Sequence, residues 1–190
     1  MPSLKGTQTE KNILIAFSRE SQARSCYNFY ANTARTESHM LISQIFLETA
    51  NEDKEISKRL YKFLEGGDVE ITATYKAGTI ASTQINLEAS AAEEKKWQEA
   101  YAEFAAKAIE EGLPTVAEVL KNIAVVHKQH EKQFNCLWKS LSEGTLYKRE
   151  EEIEWKCRNC GFVVEAQEAP EVCPCCAHLQ GYFVVLQDRF

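Results

Sequence analysis

The sequence predicts a mainly α-helical protein, a four-helix bundle with one long crossover, followed by a small cysteine-rich domain. Apolar residues recur at helical intervals along most of the first 146 residues. Two closely spaced cysteine pairs, Cys157/Cys160 and Cys173/Cys176, lie near the C-terminus. A length of 190 residues suits one substantial domain and one small one. We therefore divide the chain into residues 1–146 and 147–190.

Capping and glycine signals define the first two helices. The segment Thr7-Gln8-Thr9-Glu10 has the pattern of a capping box, and it opens a helix that extends to about residue 35. A second helix is predicted from about Ser38. The pair Gly66-Gly67 would end it, because glycine readily adopts the left-handed conformation of a helix C-cap.

A break in the helical pattern separates these helices from two more. Residues 68–81 are rich in β-branched residues, and a long crossover fits this segment better than a short strand. A third helix is predicted from about Ser82 to Glu111, and a fourth from Pro114 to about Gly144, with proline in its first turn. Four long helices with one long crossover form the ferritin-like arrangement. We interpret the charged segment 148–154 as the linker to the cysteine-rich domain.

The two cysteine pairs have the spacing of a closed tetrahedral metal site. Cys157-x-x-Cys160 and Cys173-x-x-Cys176 are separated by twelve residues, and each short hairpin can point two thiolates at one ion. Two disulfides or four buried thiols are the alternative. The paired spacing and the lack of a visible secretory signal argue against it.

The nature of the bound metal depends on what surrounds the cysteines. Spacing alone favours zinc, the commonest occupant of four-cysteine sites. The second pair has the form Cys-Pro-x-Cys, and aromatic residues flank the motif, which makes it similar to a rubredoxin centre with one iron on four cysteines. Cys175 lies between the ligands of the second pair, and we interpret it as a bystander. The aromatic residues are Trp155, Phe162, Tyr182 and Phe183.

Composition excludes several classes of protein. A formal net charge of −6 and scattered Lys and Arg residues argue against a nucleic-acid partner. The sequence contains no run of 18 apolar residues, so we expect no membrane span. The N-terminal segment lacks the apolar region of a signal peptide. Seven cysteines, four of them assigned to a metal, fit a reducing cytoplasm.

The predicted bundle carries acidic residues or histidines at similar depth on all four helices. Dimetal sites of ferritin-like proteins take a glutamate from each of two helices and a Glu-x-x-His motif from each of the others. Taken singly, each candidate is more often a solvated charge, but their joint occurrence points to a metal centre. The candidates are Glu20; Glu52, Asp53 and Glu55; Glu93 and Glu94; and His127, His130 and Glu131.

The chain resembles rubrerythrin over nearly its whole length. The segments that carry the resemblance are SLKGTQTEKNILIAF, ESQAR, KRLYKFLEGGD, CRNCGF and APEVCPCCAH. Rubrerythrins join a non-haem dimetal bundle to a rubredoxin-type iron. The resemblance implies reduction of hydrogen peroxide to water, electrons supplied by a reductase and relayed through the rubredoxin-type iron, and a homodimer.

The resemblance is incomplete at the dimetal site. Glu20 stands at the family's first carboxylate, and Asp53 stands where a bridging glutamate is expected. Ile56 replaces the histidine that would complete the helix-two motif. The second helix-three carboxylate is also missing, because Lys96 or Trp97 stands there, depending on whether Glu93 or Glu94 is the ligand.

On helix four, His127 replaces a bridging glutamate, whereas His130 is kept. Glu94 (or Glu93), His127 and His130, with Asp53 as a possible fourth ligand, would suit a single Zn, Fe or Mn ion. Lys96, if it points inward, would supply a fixed positive charge beside Glu20, although a solvated lysine is the simpler alternative. The bundle could therefore hold no metal ion, one or two.

Two functions follow from these patterns. The first is a rubrerythrin-like peroxide reductase with low activity, whose bundle residues Glu20, Asp53, Glu94, His127 and His130 bind metal and act in catalysis. The second is an electron-transfer or metal-binding protein whose bundle has lost dimetal catalysis. Both place iron on Cys157, Cys160, Cys173 and Cys176.

Overall fold

The computed structural model describes residues 2–186 and shows the predicted architecture. Its bundle contains helices α1 (Gln8–Thr36), α2 (Met40–Tyr61), α3 (Thr83–Glu110) and α4 (Pro114–Ser142). Helix α1 packs mainly against α2, and α3 packs mainly against α4. The predicted fold class, a four-helix bundle followed by a small cysteine-rich domain, is confirmed. No helix among the described residues is long and apolar enough to cross a membrane.

The helix ends follow the capping signals, with one exception. The Thr7 hydroxyl accepts the N–H of Glu10 at 3.0 Å, and the Glu10 carboxylate accepts the N–H of Gly6 at 2.8 Å. Helix α2, in contrast, ends at Tyr61 rather than at the glycine pair. The chain tightens there into i→i+3 hydrogen bonds, the first from the Phe63 N–H to the Leu60 carbonyl at 3.0 Å. This turn buries the Phe63 side chain in the core.

Residues 62–82 connect α2 to α3 without forming a helix or a strand. The hydroxyl of Tyr75 donates a hydrogen bond to the Ile15 carbonyl at 3.1 Å, which holds this segment against α1. The segment is therefore the long crossover that the sequence predicts.

The C-terminal domain contains a three-stranded antiparallel sheet in the order β2-β1-β3. Its strands are β1 (Lys148–Cys157), β2 (Val163–Glu168) and β3 (Phe183–Val185). The interpretation of residues 148–154 as a linker is wrong, because they form most of β1. Their charged side chains are exposed, while backbone pairing with β2 and the buried Trp155 hold the strand in place.

The two domains meet at the turn between α1 and α2. Gly181, in a short 3₁₀ turn before β3, lies so close to Ser38 that an added Cβ would stand 1.4 Å from the Ser38 carbonyl oxygen. Tyr147 packs against the apolar clusters of both domains. The division at residues 146/147 stays a prediction, and residues 187–190 of the second domain lie outside the described part of the chain.

The bundle core consists of two apolar clusters with a polar layer between them. On α2, for example, Phe46 and Ala50 belong to one cluster, Leu60 belongs to the other, and Asp53 lies between them. The corresponding buried polar residues on the other helices are Arg19 and Glu20 on α1, Glu94 on α3, and His127 and His130 on α4. Each helix thus contributes at least one ionisable side chain to the same level of the bundle.

Candidate metal centres

The sulfur atoms of Cys157, Cys160, Cys173 and Cys176 all lie within 4.8 Å of one another. Cys157 Sγ is 3.8 Å from Cys176 Sγ, and Cys160 Sγ is 3.7 Å from Cys173 Sγ. A tetrahedron with metal–sulfur bonds of about 2.3 Å has edges of about 3.8 Å. The four sulfurs are therefore spaced for one metal ion, and these distances are too long for disulfides.

Two similar hairpins present the four sulfurs. The Cys157 N–H donates to the Phe162 carbonyl, and the Cys173 N–H donates to the His178 carbonyl, each at 2.8 Å. Gly161 follows the first pair with φ +79°, and Ala177 occupies the same place after the second pair with φ +58°. The backbone N–H of His178 lowers the pKa of the Cys176 thiol to about 6, whereas burial raises the pKa of the Cys157 thiol.

Cys175 is exposed and does not belong to the four-sulfur group. Trp155 and Phe183 are buried beneath the sulfurs, and Phe162 and Tyr182 pack at the edge of the same cluster. The predicted aromatic surroundings of the cysteines are thus present.

All five predicted bundle residues are buried at one level of the bundle. The exposed fraction is 0% for Glu20, Asp53, Glu94 and His127, and 2% for His130. Glu94, rather than Glu93, faces the interior. Glu93 is partly exposed, and its carboxylate lies 3.9 Å from the Lys76 ammonium.

Glu94 is the centre of this cluster. Its Oε2 atom lies 2.5 Å from His127 Nδ1 and 3.3 Å from His130 Nδ1. Ligand atoms of these three residues all lie within 4.8 Å of one another, so the three could hold a metal ion. The second nitrogen of His130, Nε2, lies 2.8 Å from Oε2 of Glu52, which orients the ring.

The other side of Glu94 contacts a residue that the sequence analysis missed. Nη2 of Arg19 donates to Glu94 Oε1 at 2.6 Å, and Nη1 of Arg19 donates to Glu20 Oε2 at 3.1 Å. The Tyr27 hydroxyl also donates to Glu94 Oε1. Lys96, which the sequence suggested as a fixed cation, is exposed. The buried cation is therefore Arg19.

Glu20 and Asp53 differ in whether their carboxylate oxygens have hydrogen-bond partners. Glu20 Oε1 accepts the Tyr101 hydroxyl at 2.6 Å. His127 Nε2 lies 3.3 Å from the same oxygen, but outside hydrogen-bond geometry. Both carboxylate oxygens of Asp53 are buried without a hydrogen-bond partner, and its nearest cation is Arg19 Nη1 at 3.9 Å.

These contacts determine the electrostatics of the cluster. Burial alone would raise the pKa of Glu94, but the Arg19 guanidinium and the hydrogen bonds from His127 and His130 hold it well below its usual range. Burial would also raise the pKa of Glu20, but the neighbouring Arg19 guanidinium lowers it below its ordinary value. Burial and the neighbouring charge of Glu20 raise the pKa of Asp53 well above its ordinary value.

With Arg19 in place, the donor set does not fit a pair of metal ions. Ile56 and Trp97 offer no ligand atoms, and both pack in the apolar cluster below the polar layer. The Arg19 guanidinium lies between the carboxylates of Glu20 and Glu94. The set of Glu94, His127 and His130 does fit a single ion, because one carboxylate and two imidazoles suit Zn, Fe or Mn.

A sequence signal for Arg19 existed. Asn12, Ala16, Arg19 and Tyr27 share one buried stripe of α1, at successive intervals of four, three and eight residues. An arginine on an inward stripe next to a buried glutamate indicates an internal ion pair. Tyr101 gave no comparable signal, because its role depends on α1 packing against α3.

The fold and the two sites define the class of this protein: a ferritin-like bundle with a buried carboxylate–histidine cluster, joined to a rubredoxin-like iron domain. A family model described as Rubrerythrin matches residues 11–138 and 85–158. A second, described as Rubrerythrin, rubredoxin-like domain, matches residues 155–184.

Curated relatives agree with these matches. A rubrerythrin from Nitratidesulfovibrio vulgaris is 50% identical over 98% of this chain and 98% of its own length. One from Porphyromonas gingivalis is 46% identical over 99% of this chain and 94% of its own length. The chain belongs to the rubrerythrin family, and it is a rubrerythrin-type non-haem iron protein.

A solved structure has the same fold. Nigerythrin in a mixed-valence state superimposes with a TM-score of 0.62, covering 97% of this chain and 92% of that chain. The two sequences are only 20% identical, so this likeness concerns the fold alone.

Proposed function

We propose that this chain is a rubrerythrin-type oxidoreductase that reduces hydrogen peroxide to water at a low rate. Each peroxide takes up two electrons and two protons and yields two water molecules. The observation that carries the proposal is the presence in one chain of a four-sulfur site and a buried Glu94–His127–His130 set. The first would hold the iron that receives electrons, and the second would hold one further Fe, Zn or Mn ion.

Electrons would enter at the cysteine domain. Iron bound by the four cysteines supplies one-electron transfer. Cys160 is exposed, whereas Cys157 and Cys173 are buried, so one edge of the site faces solvent and is open to an electron-donating reductase. The backbone hydrogen bonds of the two hairpins hold the sulfurs rigidly, which limits rearrangement when the charge of the centre changes.

A cavity gives small molecules access to the bundle cluster. It has a volume of about 80 Å³ and lies between α1, the crossover and α3. Arg19, Tyr27 and Trp97 line its inner wall, and Arg19 and Tyr27 both donate hydrogen bonds to Glu94. A cavity of this size has room for a few water-sized molecules, so hydrogen peroxide fits in it.

Low activity follows from the ligands that are missing. Catalysis by a metal pair requires carboxylates that reach both ions. His127 stands at one bridging position and cannot bridge as a carboxylate does. Asp53 stands at the other and is one methylene shorter than glutamate. Ile56 and Trp97 replace two further ligands that the family resemblance implies.

The alternative function is electron transfer without peroxide chemistry. The buried Arg19 favours it, because its guanidinium is paired with Glu20 and Glu94 at the place where bundle chemistry would occur. In that case the bundle serves as a scaffold for the rubredoxin-like domain.

Reaction of the reduced protein with peroxide tests the proposal. Iron-replete protein is reduced chemically under anaerobic conditions and mixed with hydrogen peroxide, and the colour of the oxidised four-cysteine iron is followed. We expect slow reoxidation, one peroxide consumed for every two electrons, and a further slowing in His130→Ala. The control is Gln129→Ala, which changes an exposed side chain next to His130 on α4. A rate that is equal in the wild-type protein and in His130→Ala would favour electron transfer alone.

The cellular compartment and the oligomeric state are also part of this proposal. None of the seven cysteines is paired in a disulfide, which suits a reducing compartment such as the cytoplasm. We also propose a homodimer. Exposed apolar side chains on α1, α3 and α4 offer surfaces for a second copy, among them Phe29, Ile85 and Val125, which are 48%, 55% and 66% exposed. Sedimentation of the purified protein at several concentrations tests the dimer.

A further inference from the structure

We infer that the Arg19 guanidinium takes the place of one metal ion at the centre of the bundle, so that the bundle accepts no more than one ion. This inference goes beyond the proposed function, because it concerns how many ions the bundle holds and not which reaction occurs there.

Acidic side chains from three helices lie around this one cation. Arg19 Nη2 lies 2.6 Å from Glu94 Oε1, and Arg19 Nη1 lies 3.1 Å from Glu20 Oε2 and 3.9 Å from Asp53 Oδ2. The Arg19 side chain is only 5% exposed, and the side chains of the three acids are fully buried. Buried carboxylates require a counter-charge, and here an internal side chain supplies it.

A metal ion and the guanidinium cannot use the same oxygens at once. An ion bound to Glu20 and Glu94 would lie about 2.0–2.2 Å from their oxygens, which is the space that the Arg19 nitrogens and their hydrogens fill. The planar guanidinium presents its N–H groups in a fixed fork, so one arginine reaches carboxylates on both sides of it.

The residues around Arg19 suit an arginine better than an ion. The guanidinium carbon lies 5.7 Å from the centre of the Trp97 ring, which places the cation over an aromatic face. Ile56 and Trp97 both belong to the neighbouring apolar cluster. Neither side chain can bind a metal, and both contribute apolar surface to this end of the polar layer.

Glu94 divides the cluster into two halves. Its Oε1 atom accepts from Arg19 and Tyr27, and its Oε2 atom faces the Nδ1 atoms of His127 and His130. The histidine half keeps three candidate ligands within 4.8 Å of one another. One ion can therefore bind on the histidine side while Arg19 stays in place.

Counting metal ions tests the inference. Wild-type protein, Arg19→Ala and Arg19→Lys are stripped of metal, reconstituted anaerobically with excess Fe²⁺, desalted and analysed for iron per chain. Thermal unfolding is measured with a chelator and with Mn²⁺. We expect about two irons per chain or fewer in the wild-type protein, one of them on the cysteines. Arg19→Lys should match it, because lysine keeps the charge. Arg19→Ala should bind about one iron more, and Mn²⁺ should raise its melting temperature more than that of the wild-type protein.

The control is Arg24→Ala, which removes an exposed arginine from the same helix. About three irons per wild-type chain would overturn the inference, because Arg19 would then have to leave the cluster. An iron count in Arg19→Ala equal to that of the wild-type protein would overturn it as well. If Arg19→Ala does not fold, the wild-type and Arg19→Lys counts still decide. These counts do not depend on peroxide turnover, so failure of the proposed function leaves the inference standing.

Discussion

At the residue scale, Glu94 shows how a single side chain can link three helices. Its two oxygens accept hydrogen bonds from α1, through Arg19 and Tyr27, and contact α4, through His127 and His130. Removing this carboxylate would leave the buried Arg19 guanidinium with fewer partners. The resulting loss of stability should exceed that of one hydrogen bond, because a buried charge without partners is costly. Substitutions at Glu94 and Arg19 should therefore be non-additive, since both residues belong to one network.

The cysteines give a prediction at the same scale. Substitution of Cys157, Cys160, Cys173 or Cys176 by serine should weaken or shift the iron centre, because each sulfur is one corner of the four-atom cluster. Cys175→Ser is the matched control, and it should leave iron content and colour unchanged, because Cys175 is exposed and outside the cluster. Visible absorbance and iron analysis measure both effects. Loss of colour in Cys175→Ser would show that the ligand set is misassigned.

At the scale of elements, the turn between α1 and α2 is a docking surface for the C-terminal domain. Ser38 adopts φ +64°, and its carbonyl group points at Gly181. The ring of His39 stacks on Tyr147, with ring centroids 6.4 Å apart. A short helix connection thus positions the cysteine domain against the bundle.

Gly181→Ala should disturb this docking. The new Cβ would stand 1.4 Å from the Ser38 carbonyl oxygen, which forces the backbones apart. Overpacking of this kind costs about 1–3 kcal/mol. Chemical unfolding measures the loss, and faster proteolysis between the domains should accompany it. The control is Gly78→Ala, whose added Cβ would meet its nearest atom at an ordinary 3.5 Å. Equal stability of the two variants would contradict the close contact at Gly181.

At the scale of the whole molecule, Tyr147 joins the two domains. It packs against the bundle cluster and against the cluster beneath the cysteines, and its hydroxyl lies 3.3 Å from His39 Nδ1. Burial raises the pKa of Tyr147 to about 12, from an ordinary value of 10.0.

This shift predicts a loss of stability at alkaline pH. Below pH 10 the folded and unfolded chains both keep the Tyr147 proton. Between about pH 10 and 12 the unfolded chain releases it while the folded chain keeps it, so the free energy of unfolding falls as the pH rises. Tyr147→Phe removes this contribution and should therefore lose less stability over that range, as measured by urea unfolding at a series of pH values. Tyr61→Phe changes an exposed tyrosine and is the control. Parallel curves for the wild-type protein and Tyr147→Phe would contradict the prediction.

Local patterns predicted much of the fold and part of the site. The capping box at Thr7 and the proline at residue 114 located helix starts, because caps depend on neighbours a few residues away. The charged segment 148–154 was misread, because its strand character comes from pairing with residues 163–168 rather than from its own composition.

The sequence by itself determined the four helices, the inward positions of Glu20, Asp53, His127 and His130, and the four-cysteine cluster, but it left Glu93 and Glu94 as alternatives. These features repeat at helical intervals or lie within a few residues of one another, so short-range geometry specifies them. Only the tertiary structure decided which cation sits among the carboxylates. Arg19 and Glu94 are 75 residues apart in the chain, and they meet only because α1 and α3 pack side by side. A buried charge takes whichever partner the packing brings close, and local sequence does not specify that partner.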